Sequence, residues 1–169
     1  FGVSVDISSD TIAVGAPKDD INANTDQGSV YIFNRSGSVW TQAQKLVASD
    51  AGANDWFGFD VSISGNNLGV GSQTDTIGSN ANQGSGYVYT YSNSSWTQYA
   101  KVIESDGAAG DYFGRSVALD GFNFAVGAYQ KTIDGKTTQG AAYIQNVFQS
   151  TASATVQVVN PPTVTLQSI

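Results

Sequence analysis

FGVSVDIS (Phe1–Ser8) returns as FGFDVSIS (Phe57–Ser64) and again as FGRSVALD (Phe113–Asp120), 56 residues apart both times and without a gap. At the same offset IAVGAP (Ile12–Pro17) meets LGVGSQ (Leu68–Gln73) and FAVGAY (Phe124–Tyr129). Likewise QGSVYIF (Gln27–Phe33) meets QGSGYVY (Gln83–Tyr89) and QGAAYIQ (Gln139–Gln145). The stretch WTQAQKLVASDAGANDW (Trp40–Trp56) is matched by WTQYAKVIESDGAAGDY (Trp96–Tyr112), whereas the third copy gives way to ASATVQVVNPPTVTLQSI (Ala152–Ile169). A fixed period across most of the chain makes the repeat the unit of the fold.

Inside each unit apolar residues alternate, as in Val3, Val5, Ile7 and then Ile12, Val14, Ala16, the period of a half-buried strand, and no helical period appears. Short turn clusters (Ser8-Ser9-Asp10, Gly65-Asn66-Asn67, Asp120-Gly121) and one longer polar loop per unit (18–26, 74–82, 130–138) separate the strands. In the first unit the strands are placed near 2–8, 11–17, 28–35 and 39–48. The reading is an all-β chain of β-propeller-type blades: three four-stranded antiparallel repeats of 56 residues, as an open arc or part of a larger or oligomeric propeller. Blades one to three are assigned to 1–56, 57–112 and 113–160, with 161–169 as a C-terminal extension.

Composition removes whole classes of function. The chain has 169 residues and no Cys, His or Met, so disulfides, thiolate or imidazole metal ligands and every nucleophile–histidine pair are excluded. Seven scattered Lys and Arg against 14 acids, a net charge of −7, argue against nucleic acid, whose affinity rests on cations neutralising phosphates. Apolar runs such as Val30–Phe33 fall far short of the roughly 20 residues that cross a bilayer, so no membrane insertion is expected. The chain opens on Phe1-Gly2-Val3 without a signal-peptide pattern and reads as mature or trimmed. Richness in Gly, Ser, Thr, Asn and Gln, with Glu104 as the single Glu, suits an extracellular or cell-surface β-protein.

The Phe-Gly that opens each unit and the Gly15-Ala16-Pro17 one strand later resemble the FG-GAP repeat, over nearly the whole chain. Linkers such as SDGAAGDYFG (Ser105–Gly114) look like the bacterial variety, and the propeller of integrin α-subunits is a more distant likeness. Gly-Ala-Pro becomes Gly71-Ser72-Gln73 and Gly127-Ala128-Tyr129 in the later units. The resemblance implies extracellular recognition or adhesion, often of carbohydrate or protein, without catalysis. Integrin-type repeats carry a calcium loop between their first two strands, but here that turn has shrunk to two or three residues and no such loop fits.

Four sets of residues are candidate sites. Trp40, Trp96, Trp56 and Tyr112 sit beside Asn, Asp and Gln, as in lectins that stack sugars, although packing between blades explains the same spacing. Asp20, Asn22, Asn24 and Asp26 alternate like half a calcium loop but lack its Gly and closing Glu, so calcium competes with a turn in which Asx side chains bond their own backbone. Asn34-Arg-Ser36 and Asn93-Ser-Ser95 are glycosylation sequons near the third-to-fourth-strand hairpin. The repeated acids Asp50 with Asp55 and Asp106 with Asp111 read as caps on the backbone of the blade-to-blade turn, the alternatives being a calcium contact or an acid–base pair. Phe1, Phe57, Phe113, Tyr31, Tyr87 and Tyr143 are expected to fill the space between blades.

The functional expectation is a non-enzymatic extracellular or cell-surface recognition and adhesion module, glycan-binding through its aromatic residues. A structural subunit that self-assembles into a filament or surface layer is the alternative. Three blades leave bare faces, so the expected partners are other copies or further blades of a longer chain, besides a glycan or surface protein. Thr155–Val159 completes the third blade. Beyond the rigid Asn160-Pro161-Pro162, Thr163–Ile169 is a surplus strand, for donation to a neighbour or as a linker.

Overall fold

A computed structural model describes residues 1–147 and 157–159. The described residues form twelve strands and no helix. β1 (Val5–Ser8), β2 (Thr11–Ala16), β3 (Ser29–Ser36) and β4 (Val39–Leu46) make the first sheet. β5 (Asp60–Ser64), β6 (Asn67–Ser72), β7 (Ser85–Ser92) and β8 (Ser95–Val102) make the second; β9 (Phe113–Asp120), β10 (Asn123–Ala128), β11 (Ala141–Asn146) and β12 (Gln157–Val159) make the third. Each is an antiparallel meander in chain order, so the three blades expected from the repeat are present, and the sheets do not close into a barrel. The repeat extends to irregularities: β3 slips register against β4 between Ile32 and Phe33, and β7 against β8 between Val88 and Tyr89. The strand expected at Thr155–Val159 is described over Gln157–Val159, paired with β11; the surplus segment Thr163–Ile169 lies outside the described residues.

The core lies between blades. One cluster joins Ala13, Val30, Ile32 and Leu46 of the first sheet to Val61, Leu68, Val70 and Tyr87 of the second; another joins Val88 and Val102 to Phe124, Val126 and Tyr143 of the third. Alternation along the first strand of each blade supplies both halves of the seam. Val61 and Ile63 enter the core beside blade one, while Ser4, just before β1, and Asp6 and Ser8 within it accept bonds from the next blade. Val61 N donates to Ser4 Oγ (3.1 Å), Ile63 N to Asp6 Oδ2 (2.8 Å) and Gly65 N to Ser8 Oγ (3.2 Å). The pattern recurs one blade on, from Val117, Leu119 and Gly121 to Asp60, Ser62 and Ser64.

The Phe-Gly motif is what inserts between sheets. Phe57 N donates to Gln27 O (2.9 Å) and Phe113 N to Gln83 O (2.8 Å), each in a parallel bridge to the preceding blade. The following Gly58 and Gly114 have φ of +84° and +89°, and a Cβ there would strike the carbonyl oxygen of Ser29 or Ser85. Phe57 and Phe113 are buried and meet Tyr87 and Tyr143 edge to face, at 5.3 and 5.4 Å. The first copy departs from expectation. Phe1 is 75% exposed and Tyr31 half-buried, because among the described residues no sheet covers that side of blade one.

Candidate functional site

Strand order places the starts of β1, β5 and β9 and the ends of β2, β6 and β10 at one end of the blades. There the residues before each Phe-Gly and after each second strand meet. Trp56, at φ +53°, stacks on Phe59 with centroids 6.2 Å apart and planes 10° from parallel. Lys18 sits 5.0 Å above the Trp56 ring. Arg115 lies 4.8 Å from the Phe59 ring and 5.0 Å from that of Tyr129, which in turn tilts against Tyr112 at 5.4 Å. Its guanidinium also donates to Gln73 Oε1 (3.2 Å). The result is a continuous ladder across all three blades, from Lys18 through Trp56, Phe59, Arg115 and Tyr129 to Tyr112. Lys18, Arg115 and Tyr129 are exposed and the others half-buried.

Of the four aromatic candidates, the structure brings Trp56 and Tyr112 to this rim and places Trp40 and Trp96 on the outer strands. Trp96 is only 5% exposed, packed in the core against Tyr91 at 5.4 Å, so it offers a ligand almost no surface. Trp40 is half-buried beneath the Arg35 guanidinium. At the end opposite the rim a cleft of about 260 Å³ opens between blades one and two, lined by Asp10, Asn34, Arg35, Asn66, Tyr91 and Trp96. Phe59, Arg115, Tyr129 and Lys18 were absent from the sequence candidates. Their signal is divergence from the repeat: Val3, Phe59 and Arg115 occupy one repeat position, and Pro17, Gln73 and Tyr129 another.

The loop Asp20–Asp26 closes on itself. Asp26 N donates to Asp20 Oδ1 (2.8 Å), and the Asn24 amide donates to Gln27 Oε1 (2.7 Å) and Ala51 O (3.4 Å). Asn22 and Asp26 hold φ of +55° and +51°. No cluster of three acids suited to a metal occurs among the described residues. Of the two sequons, Asn93 occupies the exposed turn between β7 and β8, whereas Asn34 lies within β3, half-buried, accepting from Thr11 Oγ1 (3.3 Å).

The linker acids divide their labour, which corrects the capping expectation for half of them. Asp55 accepts from Gly52 N–H and Asp111 from Ala108 N–H (2.8 Å), as caps do. Burial pushes the Asp55 carboxyl above its ordinary range, against the opposing pull of the Gly52 bond. Asp50 instead reaches into the next blade, to Lys101 Nζ (2.6 Å) and the Tyr87 hydroxyl (3.0 Å). Burial raises Asp50, but those two partners outweigh it and hold the carboxyl below the usual range. Asp106 has the matching role, accepting from the Tyr143 hydroxyl (3.1 Å) and facing Lys131 Nζ at 3.4 Å.

The FG-GAP repeat family matches this chain over residues 1–33, 40–89 and 96–145. The second and third matches run from the outer strand of one blade through the inner three strands of the next, thus spanning each blade junction. Such repeats commonly mediate extracellular recognition and adhesion, are typical of extracellular or surface proteins, and are generally non-enzymatic. Among the described residues no helix is long and apolar enough to cross a membrane. Three copies at a fixed period, each folded as one four-stranded sheet, with the Phe-Gly of the second and third at the seams, place this chain in the FG-GAP repeat family.

Proposed function

We propose that this chain is a non-enzymatic extracellular recognition and adhesion module that grips a glycan at the aromatic rim. The ladder from Lys18 to Tyr112 carries the reading. These positions diverge between repeats, and their third-repeat members Arg115 and Tyr129 are exposed, Tyr129 46% accessible. Aromatic faces accept the C–H faces of a sugar ring, and Lys18 and Arg115 favour a sugar bearing carboxylate or sulfate. Binding to an array of neutral and acidic glycans tests this. Trp56→Ala and Tyr129→Ala should each weaken binding by about tenfold, the worth of one stacked ring, with the melting temperature nearly unchanged. Binding that survives both, or that maps to the Asp10–Trp96 cleft, overturns the rim assignment.

A self-assembling subunit is the second reading, and one observation favours it. Phe1, Val5 and Ile7 on the uncovered face of blade one are 75%, 65% and 58% exposed, in the positions where Phe57, Val61 and Ile63 are buried by a neighbouring blade. A second copy presenting its third blade would cover this face as blade one covers the second. Concentration-dependent association in sedimentation, abolished by Ile7→Lys, supports it; a monomer at every concentration rejects it.

A further inference from the structure

The third blade keeps the tyrosine of one polar cluster and rewrites the residues around it. In the first two blades a loop aspartate is held from within its own blade: Asp19 by Ser29, Tyr31 and Lys45 (2.5, 2.9 and 2.8 Å), Asp75 by Ser85, Tyr87 and Lys101 (2.6, 3.2 and 2.7 Å). In the third repeat the aspartate is Lys131, the serine is Ala141, the lysine is Gln157, and Glu104 stands where the first repeat has Ala48. The fold is made twice without this arrangement, so blade formation does not require it.

Around Lys131 Nζ lie Glu104 Oε2 at 2.8 Å, Asp111 Oδ2 at 2.9 Å, Asp106 Oδ2 at 3.4 Å and the Asp106 carbonyl at 2.5 Å. The Lys131, Glu104 and Asp111 side chains are 5%, 0% and 6% exposed. Glu104 Oε1 is buried without a partner, while Oε2 also accepts from the Tyr143 hydroxyl (3.2 Å). Ala108 N–H donates to the Asp111 carboxyl at 2.8 Å. An amine, a carboxyl polarised by a backbone N–H and a second carboxyl with a free oxygen are thus held together, largely shut off from water.

We infer that Lys131 and Asp111 condense into an intramolecular isopeptide bond, with Glu104 carrying the proton. Lys131 passes a proton to Glu104 Oε2, and Glu104 relays it to Asp111 Oδ1, leaving a neutral amine beside a carboxylic acid. The amine attacks Asp111 Cγ; the developing oxyanion on Oδ2 stays bonded to Ala108 N–H. The second amine proton leaves through Glu104 to Oδ1, which departs as water, and Glu104 returns to its starting state. Ammonium and carboxylate become amide and one water, with no oxidant or co-reactant. Burial works against the charge on Lys131, but the facing carboxylates together outweigh it and hold the amine above the ordinary lysine range, so the neutral amine is rare at any instant. The step runs once per molecule, and fixed proximity is worth effective concentrations of about 10⁵ M or more. Burial favours the neutral amide over the desolvated ion pair and keeps out the water that would reverse it. The bond would staple the linker leaving blade two to the loop of blade three.

Intact-mass measurement of the unfolded wild-type chain decides the matter. The expected mass is one water below that of the sequence, and tandem spectra of a digest should show a branched peptide joining Asp111 to Lys131. Glu104→Gln, which keeps the shape but cannot relay the proton, should restore the full mass and an amine at Lys131 that labels after unfolding. A full-mass wild type with a labelled Lys131 overturns the proposal whether or not the variant folds. So does a water lost within a linear peptide, as cyclisation at Asp106-Gly107 would give.

Discussion

The side chain of Gln44 on β4 pairs with the backbone of Trp96 on β8 as a strand would: Trp96 N donates to Gln44 Oε1 and Gln44 Nε2 donates to Trp96 O, both at 2.9 Å. One amide thereby stitches the outer strands of blades one and two, and its counterpart on blade two is Ala100, which offers no such bond. Gln44→Ala should cost about 1–2 kcal/mol, and Gln44→Glu more, since a carboxylate oxygen then faces the Trp96 carbonyl. Urea midpoints at constant slope measure both; a Glu variant as stable as wild type would refute the pairing.

Asp60 serves three blades at once. Its Oδ1 accepts from Ser4 Oγ (2.8 Å) and its Oδ2 from Val117 N (2.7 Å). Asp60→Ala leaves the Val117 N–H without its acceptor and should cost roughly 1–3 kcal/mol. Amide exchange at Val117 should accelerate more than at Leu119, whose acceptor is Ser62. Equal acceleration at both would mean a global loss of stability and not a lost local bond.

Phe124 is seated in a hollow made by two glycines. A Cβ added at Gly86 would come within 2.9 Å of its ring, and one at Gly69 would collide with it. At the corresponding positions of the first blade stand Ala13 and Val30, and the residue matching Phe124 is the smaller Leu68, in the same core cluster. Gly69→Ala should therefore destabilise by about 1–3 kcal/mol through overpacking. Phe124→Leu should cost a similar amount through the cavity it leaves. The double variant should be more stable than the sum of the two, a favourable coupling of roughly 1 kcal/mol in a double-mutant cycle; strict additivity would show that the seam does not pack this way.

Burial pushes the Glu104 carboxyl up to about 7 from an ordinary 4.5, and the bond from Lys131 opposes this without cancelling it. Between those values the folded chain holds a proton that the unfolded chain has released, so stability falls as pH rises from about 4.5 to 7. Asp19 and Asp50 are lowered and act oppositely, contributing stability that is lost as pH falls below their ordinary range. In an Asp111→Ala background, which cannot form the amide and keeps Lys131 an ammonium, Glu104→Gln should flatten the decline between about pH 5 and 7, worth on the order of 2 kcal/mol, and leave the acid limb unchanged. Thermal melts across that range read it, and an unaltered slope in the variant would assign the decline elsewhere.

The 56-residue period determined the number of blades, their strands and the place of Phe57 and Phe113 at the seams, because a repeated alternation of two states its own burial pattern and pairs with its neighbours in chain order. Trp56 and Tyr112 were legible as an equivalent pair for the same reason, standing at one repeat position. What the repeat could not show was where its copies are used differently. Phe1 has the same motif as Phe57, yet only a sheet lying on it would bury it. Trp40 and Trp96 share a repeat position, but one is half-buried and the other is in the core, because only Trp96 has a preceding blade against it. Phe59, Arg115 and Tyr129 come from different blades, and Glu104, Asp111 and Lys131 from a linker and a loop. Their contacts depend on how one sheet is set against the next, and that side-chain packing is decided in tertiary structure, where no periodicity along the chain records it.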